Sequence, residues 1–199
     1  LLRRVLYYAL RTTKAGSGAI FLFDNQDKDT LSARAISGIF PPLLGGVDTG
    51  LERAMSKSQH VEQLVRARRI RKGEGLVGSV ADIGQAILIE DAETDPRVPR
   101  YELDFLRIHS LLLVPMRFHR EVLGVLAVVN RVDGEAFAQG DQSLLQAVAD
   151  QASVSVYYAG LRQTLEEKIR IDNDLDAARR IQNSLLPKTL PKVEGVEMA

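Results

Sequence analysis

The chain has no cysteine. That excludes disulfides, thiolate metal sites, thiol catalysis and any cofactor tethered through sulfur. It also lacks net charge: 26 basic and 26 acidic residues cancel, so no whole-chain field points to nucleic acid or to an anionic membrane. No apolar run approaches the roughly 20 residues needed to span a bilayer, and no secretory signal precedes the first helical segment. No Ser/His/Asp set or paired carboxylates come with a supporting motif, so no catalytic centre is expected. What is present is a chain of 199 residues, room for one large domain or for one ordinary domain plus an appendage, with 45% hydrophobic content, enough for a real core. The expectation is a soluble cytoplasmic protein with no nucleic-acid or membrane partner. Because it opens directly on an amphipathic segment, it reads as a piece of a longer one.

Periodicity divides the chain. Residues 1–14 place Leu2, Leu6, Ala9 and Leu10 on one helical stripe. Residues 19–24 and 31–37 are β-type runs joined by the polar loop NQDKDT, which reads as a hairpin. Asp24, Asp27 and Asp29 miss the EF-hand spacing and read as a solvated turn. FPPLLGGVDTG is a breaker-rich loop, and 50–67 reads as a surface helix. The cluster Arg66, Arg68, Arg69, Arg71 and Lys72 has no interleaved aromatics and reads as a solvated helix end. Residues 85–90 form a short strand, and Asp95-Pro96 is placed to start a helix. Residues 110–119 and 121–131 are strong strands paired across a tight turn near Arg120.

From about 140 to 186 the pattern is one long helix, stopped by Pro187 and Pro191. Val154, Tyr158, Leu161 and Leu165 are spaced 4,3,4, and Ile171, Leu175, Ala178 and Leu185 share a second run. Lys168 links the runs with a spacing of three on either side, so the heptad slips there, which would locally overwind a coiled coil. A parallel homodimer through this helix is expected, with an antiparallel fold-back as the alternative.

Gly73-Glu74-Gly75-Leu76-Val77-Gly78 is a G-x-G-x-x-G. A dinucleotide site needs an apolar strand entering the first glycine and an acid about 20 residues on at the end of a second parallel strand. Here RRIRK precedes the motif, and Asp91, Glu93 and Asp95 lie in a loop. No Gly-Lys-Ser/Thr follows for a P-loop. The glycines instead let the chain turn tightly and dock the short helix LVGSVADI on a sheet.

The ordered set GAIFLFD, a second strand ending in SG, KGEGLVGSVADIGQAILIEDAETDPR, LLLVPMRFHREVLGVLAVVNR, F-x-x-x-D and LLQAVADQASVSV resembles a GAF domain over residues 1–158. The resemblance implies an α+β, PAS-like antiparallel sheet of order 2-1-5-4-3, with the terminal helices on one face. Loops and short helices on the other face can enclose a small ligand such as a cyclic nucleotide. It places Leu76, Val80, Asp91, Tyr101, Leu113 and Asn130 at that ligand. The family's N-K…F-x-x-x-D-E signature is met by Asn130, Arg131, Phe137, Asp141 and Gln142, with arginine for lysine and glutamine for glutamate. Arg131, Phe137 and Asp141 are then structural, with Arg131 and Asp141 tying the last strand to the long helix. A covalent bilin needs the missing cysteine. Haem or another metal needs converging ligands, whereas His60, His109 and His119 sit on three separate segments.

Residues 174–199 carry a second resemblance. Ala178, Ile181, Gln182, Leu185, Leu186, Pro187, Pro191, Gly195 and Glu197 match the opening of bacterial SpoIIE/RsbU-type serine phosphatases of the metal-dependent PPM superfamily. The implied organisation is a GAF sensor over 1–158, a coiled-coil signalling helix over 159–186 and the beginning of a phosphatase domain over 187–199. That resemblance puts the two Mn2+ or Mg2+ ions, their aspartates and the catalysis beyond Ala199, leaving these residues non-catalytic and without a cofactor of their own. Its implied substrate, for the whole protein, is a phosphorylated anti-sigma-factor antagonist. The alternatives are a ligand-free GAF dimerisation scaffold, its pocket filled by Tyr101, Phe105 and Leu106, and a GAF input to another signalling enzyme.

Overall fold

The computed structural model describes residues 1–24, 27–45 and 57–185. The chain divides into two compact units, Leu1–Tyr158 and Ala159–Ala199. In the first, a six-stranded antiparallel sheet is built from β1 (Ala15–Phe23), β2 (Thr30–Ser37), β3 (Arg69–Arg71), β4 (Ile87–Ile89), β5 (Leu111–Phe118) and β6 (Glu121–Arg131), in the order β3-β2-β1-β6-β5-β4. Without β3, this is the expected order 2-1-5-4-3. The extra edge strand comes from the basic cluster. Helix α2 (Lys57–Ala67) ends before it, and Ile70 turns its one apolar side chain into the core while pairing with Leu31. A single buried residue between arginines leaves no period-2 signal to read.

The two sheet faces bury different sets, as alternation along β1, β5 and β6 requires. Leu112, Val114, Met116, Leu126 and Val128 face α1 (Leu2–Thr13) and the start of α4 (Gln139–Leu185). Helix α1 presents Leu6, Ala9 and Thr13 to that core and stops at Lys14, which adopts φ 53°. Leu145, Ala149 and Ala152, one turn apart, seat α4, and Phe137 plugs the approach to it. On the opposite face, Leu111, Leu113, Val125, Ala127 and Val129 are covered by α2, α3 (Gly75–Ile83) and the segments around Phe40 and Leu106. Fully burying a leucine of this kind contributes about 1.5–3 kcal/mol.

Asp95-Pro96 makes a turn, not the helix start read from the sequence. The Asp95 side chain accepts from Arg97 N at 2.9 Å, its carbonyl accepts from Val98 N at 3.2 Å, and Pro99 then blocks helix growth. The expected first turn of α2, residues 50–56, lies outside the described residues, as do Leu186 and the 187–199 segment. In the second unit, 159–185 continue α4, with Leu161, Leu165, Ile169, Ile171 and Leu175 all exposed. No helix among the described residues is long and apolar enough to cross a membrane.

Candidate ligand site and its tie to the long helix

The glycine motif forms a hairpin-like entry to α3. Gly73 and Gly75 adopt φ 82° and 59°, the left-handed region that glycine enters without strain. Gly73 N donates to Gly78 O at 2.9 Å, and the main chain of Arg71 runs so close to Gly78 that a Cβ there would collide with the Arg71 carbonyl. The Glu74 carboxylate accepts from Arg71 N at 2.8 Å, closing the turn against β3. The three glycines serve backbone approach, and α3 delivers Leu76, Val77, Val80 and Ala81 to the sheet.

Of the six residues assigned to a ligand, three come together. Leu76, Val80 and Leu113 are fully buried in one cluster, and half-buried Tyr101 packs at its margin. The Tyr101 hydroxyl donates to the Pro42 carbonyl, and burial pushes its pKa up to about 12. Asp91 stands apart: its exposed carboxylate accepts from Glu93 N at 3.1 Å, fixing a turn. Asn130 is at the far end of β6 with φ 51°. Its Oδ1 accepts from His109 N at 2.7 Å and Ser110 N at 3.3 Å, and its Nδ2 donates to Arg107 O at 2.7 Å. The amide is engaged by the chain itself and clamps the segment before β5 onto β6.

The wall also contains residues that sequence reasoning passed over. Phe40 and Leu43, from the breaker-rich loop, are buried in the same cluster, Phe40 with its ring 6.0 Å from Phe21. The only cue was two large apolar residues flanking Pro41-Pro42, a pair that fixes an extended backbone. Leu106 and Phe105, by contrast, were named with Tyr101 as fillers of the pocket: Leu106 is buried in the same cluster and Phe105 packs against it. Outside this packing, a cleft of about 400 Å3 is lined by Glu93, Pro99, Arg100, Tyr101, Arg107 and Ile108. Arg100 donates to Glu93 O at 3.0 Å, Arg107 pairs with Asp104 at 3.2 Å, and His109 Nδ1 lies 3.3 Å from Glu93. His60 is on α2 and His119 in the β5–β6 turn, and no group of three or more metal-ligating side chains converges among the described residues.

Arg131 makes the tie to the long helix. Its guanidinium holds Asp141 at 2.9 Å and Asp133 at 2.7 Å. Asp141 Oδ2 also accepts from Ala138 N at 2.9 Å, ahead of the first turn of α4. Hydrogen bonding to Arg131 holds the Asp133 carboxyl well below the usual carboxylate range, and Asp133 in turn holds Arg131 above its ordinary value.

A sheet of this order, with terminal helices on one face and a wall of short elements on the other, defines an α+β sensory-domain fold. The chain belongs to the GAF domain family, whose model matches residues 1–156. It is 30% identical over 118 residues to the dual 3',5'-cyclic-AMP and -GMP phosphodiesterase 11 of Drosophila melanogaster, a match covering 57% of this chain and 8% of that protein. The chain therefore spans a small part of that relative's length. Among solved structures, it is similar to the GAF domain of a Coxiella burnetii phosphoenolpyruvate-protein phosphotransferase, with TM-score 0.61, 20% identity and coverage of 82% and 84% of the two chains. It is also similar to the second GAF domain of DevS from Mycobacterium smegmatis, with TM-score 0.56, 18% identity and coverage of 82% and 95%.

Proposed function

We propose that this chain is the regulatory input of a cytoplasmic signalling protein, taking a small-ligand or partner signal at the α3 face and passing it through a dimeric helix to an output domain. The observation that carries the reading is an unpartnered seam on α4. Leu144, Ala147, Gln151, Val154, Tyr158, Leu161 and Leu165 follow the coiled-coil spacing of 3,4,3,4,3,4 and all are exposed. The seam thus starts at Leu144, five residues into the helix that begins at Gln139, well before the Val154 at which the sequence pattern first declared itself. Beside it, a groove of about 740 Å3 between α1 and α4 is lined by Leu1, Val5, Tyr8, Ala147, Val148 and Ala152. Residues 1–14 carry Arg3, Arg4, Arg11 and Lys14 with no acid, whereas 139–158 carry no base and, besides the Asp141 held by Arg131, the acid Asp150. Such charges suit two copies packed with α1 of one against α4 of the other. Past Leu165, Ile169, Ile171 and Leu175 leave the spacing around Lys168, which is where two packings of a helix pair can exchange.

The output reading rests on residues 174–199 and their likeness to the opening of SpoIIE/RsbU-type phosphatases. The domain boundaries follow it, with a sensor to 158, a coiled coil to 186 and the phosphatase from 187. Dephosphorylation of an anti-sigma-factor antagonist is then the regulated step, with its metal ions held beyond Ala199. Likeness to a dual cyclic-nucleotide phosphodiesterase makes cyclic AMP and cyclic GMP the first ligands to test, at the Arg100–Arg107 cleft and the α3 wall. A second reading, a ligand-free dimerisation scaffold, is favoured by Leu106 and Phe105 packing into the wall and by the engagement of the Asn130 amide with the chain's own backbone. A thermal-shift screen of this chain against cyclic nucleotides and small metabolites separates the two: a concentration-dependent rise in Tm supports the sensor, and none leaves the scaffold. Light scattering of Leu161→Glu/Leu165→Glu tests the seam. A mass halved from that of the unsubstituted chain is expected, and an unchanged dimer mass refutes it.

A further inference from the structure

The last contact between the sheet and α4 within the first unit is aromatic. Phe118, which ends β5, stacks on Tyr157 with centroids 4.3 Å apart and planes 23° apart. It meets Tyr158 edge-on at 6.0 Å, while His119, held at φ 54° in the hairpin turn, meets the Phe118 ring edge-on at 4.4 Å. One residue earlier, Arg117 Nη1 donates to the carbonyl of Gly84 at 3.3 Å, and Gly84 is the left-handed residue that ends α3. Just ahead of both arms the ladder steps: Met116 pairs with Gly124 but Arg117 pairs with Val122, so Leu123 bulges out. A bulge of this kind bends the strand end and re-aims its side chains. Neighbouring residues of one strand tip therefore grip the ligand-side wall with one arm and the long helix with the other.

We propose that the β5–β6 hairpin tip is a clasp that relays movement of α3 to α4: displacement of Gly84 pulls on Arg117, turns Phe118 and releases or re-seats Tyr157. The proposal rests on the reading of the chain as a relay module. It assigns the Phe118–Tyr157 stack the part of the movable joint. The base of α4 is not part of that joint, because Leu145 and Ala149 are fully buried and Gln146 Nε2 donates to Pro115 O at 3.0 Å. The stack, by contrast, is half-exposed and made of ring contacts alone, Phe118 on Tyr157 with Tyr158 and His119 at its edges. Contacts of low burial are the ones that open locally while the rest of a fold stays closed.

Hydrogen exchange on the full chain tests this with Phe118→Ala, Arg117→Ala and the pair combined, and with Tyr157→Leu as a variant that keeps apolar volume but removes the stack. Phe118→Ala and Tyr157→Leu are expected to speed exchange of the 153–160 amides by about 3- to 10-fold, the factor carried by one aromatic pair, with 142–149 unchanged. Arg117→Ala should speed the same amides, less, and add nothing in the Phe118→Ala background. Unchanged exchange at 153–160 in both Phe118→Ala and Tyr157→Leu overturns the clasp. So does an Arg117→Ala effect of the same size with and without Phe118. The Leu161→Glu/Leu165→Glu mass reads the dimer separately, so a failed clasp and a failed relay module give different results.

Discussion

Gly78 and Gly160 both lie inside helices, and replacing each with alanine should move stability in opposite directions. By helix propensity alone, each change gains about 1 kcal/mol. At Gly160 no heavy atom lies within 4 Å of the new Cβ, so the gain stands. At Gly78 the Cβ would collide with the Arg71 carbonyl and sit 3.1 Å from Gly73 N and C. None of these atoms is free to yield. Arg71 is paired in β3, Lys72 N donates to Asp29 O at 2.8 Å, and Gly73 N is bonded to Gly78 O. An obstruction made of main chain belongs at the upper end of the overpacking range, about 3 kcal/mol. Subtracting the propensity gain leaves a net loss of about 2 kcal/mol. For a unit of this size, that lowers Tm by about 4–8 °C. Thermal and urea unfolding followed by circular dichroism would read it, with Gly160→Ala showing unchanged or higher helicity and no loss of Tm. A Gly78→Ala protein as stable as the parent would refute the reasoning, since it would mean that the turn, and with it the α3 wall, has room that the packing denies.

Two further outcomes follow from the same geometry. Asn130→Ala removes three hydrogen bonds and leaves a β-carbon residue at φ 51°, so a loss of about 2–4 kcal/mol is expected in urea unfolding. Asn130→Asp, which keeps the acceptor and tolerates that φ, should lose less, and equal losses would contradict the clamp. Asp133, Asp95 and Asp27 all have carboxyls held below their ordinary value, by hydrogen bonds from Arg131, Arg97 and Thr30 respectively. Groups depressed in the folded state stabilise it above the unfolded carboxylate pKa of about 4 and lose that contribution as pH falls below it. The urea midpoint should therefore hold steady from pH 7 to about 5 and fall below about 4, with a shallower fall in Asp133→Asn. An unchanged slope in that variant would remove the Arg131 network as a cause.

What could be read from the residues, and what could not, divides along physical lines. The β5–β6 hairpin was legible because LLLVPM and EVLGVLAVVNR are long apolar runs broken once, at a turn. The helix from Gln139 was legible because its period persists over many turns. Strand β3 was hidden because only Ile70 is buried and its neighbours are cations, a pattern that a helix end shares. Asp95-Pro96 misled because the same pair opens both helices and turns, and Pro99 and Arg97 decided between them. At the candidate ligand face, Leu76, Val80 and Leu113 carried a burial signal in their own segments. Asn130 did not, since its partners His109, Ser110 and Arg107 are about 20 residues away and offer only backbone groups, which no residue pattern displays.

The turn at Glu74 has one more consequence. Strand β3 is the rim of the sheet, where unpaired amides ordinarily invite another chain's strand. Here the Arg71 amide is already given to the Glu74 carboxylate, and the exposed Arg71 side chain beside Ile70 opposes a like copy that approaches edge-on, while Arg69 is paired with Asp24. The proposed pairing of copies along α4 is favoured when this rim is closed to them. Glu74 and Arg71 thus disfavour amyloid-like strand addition at this rim.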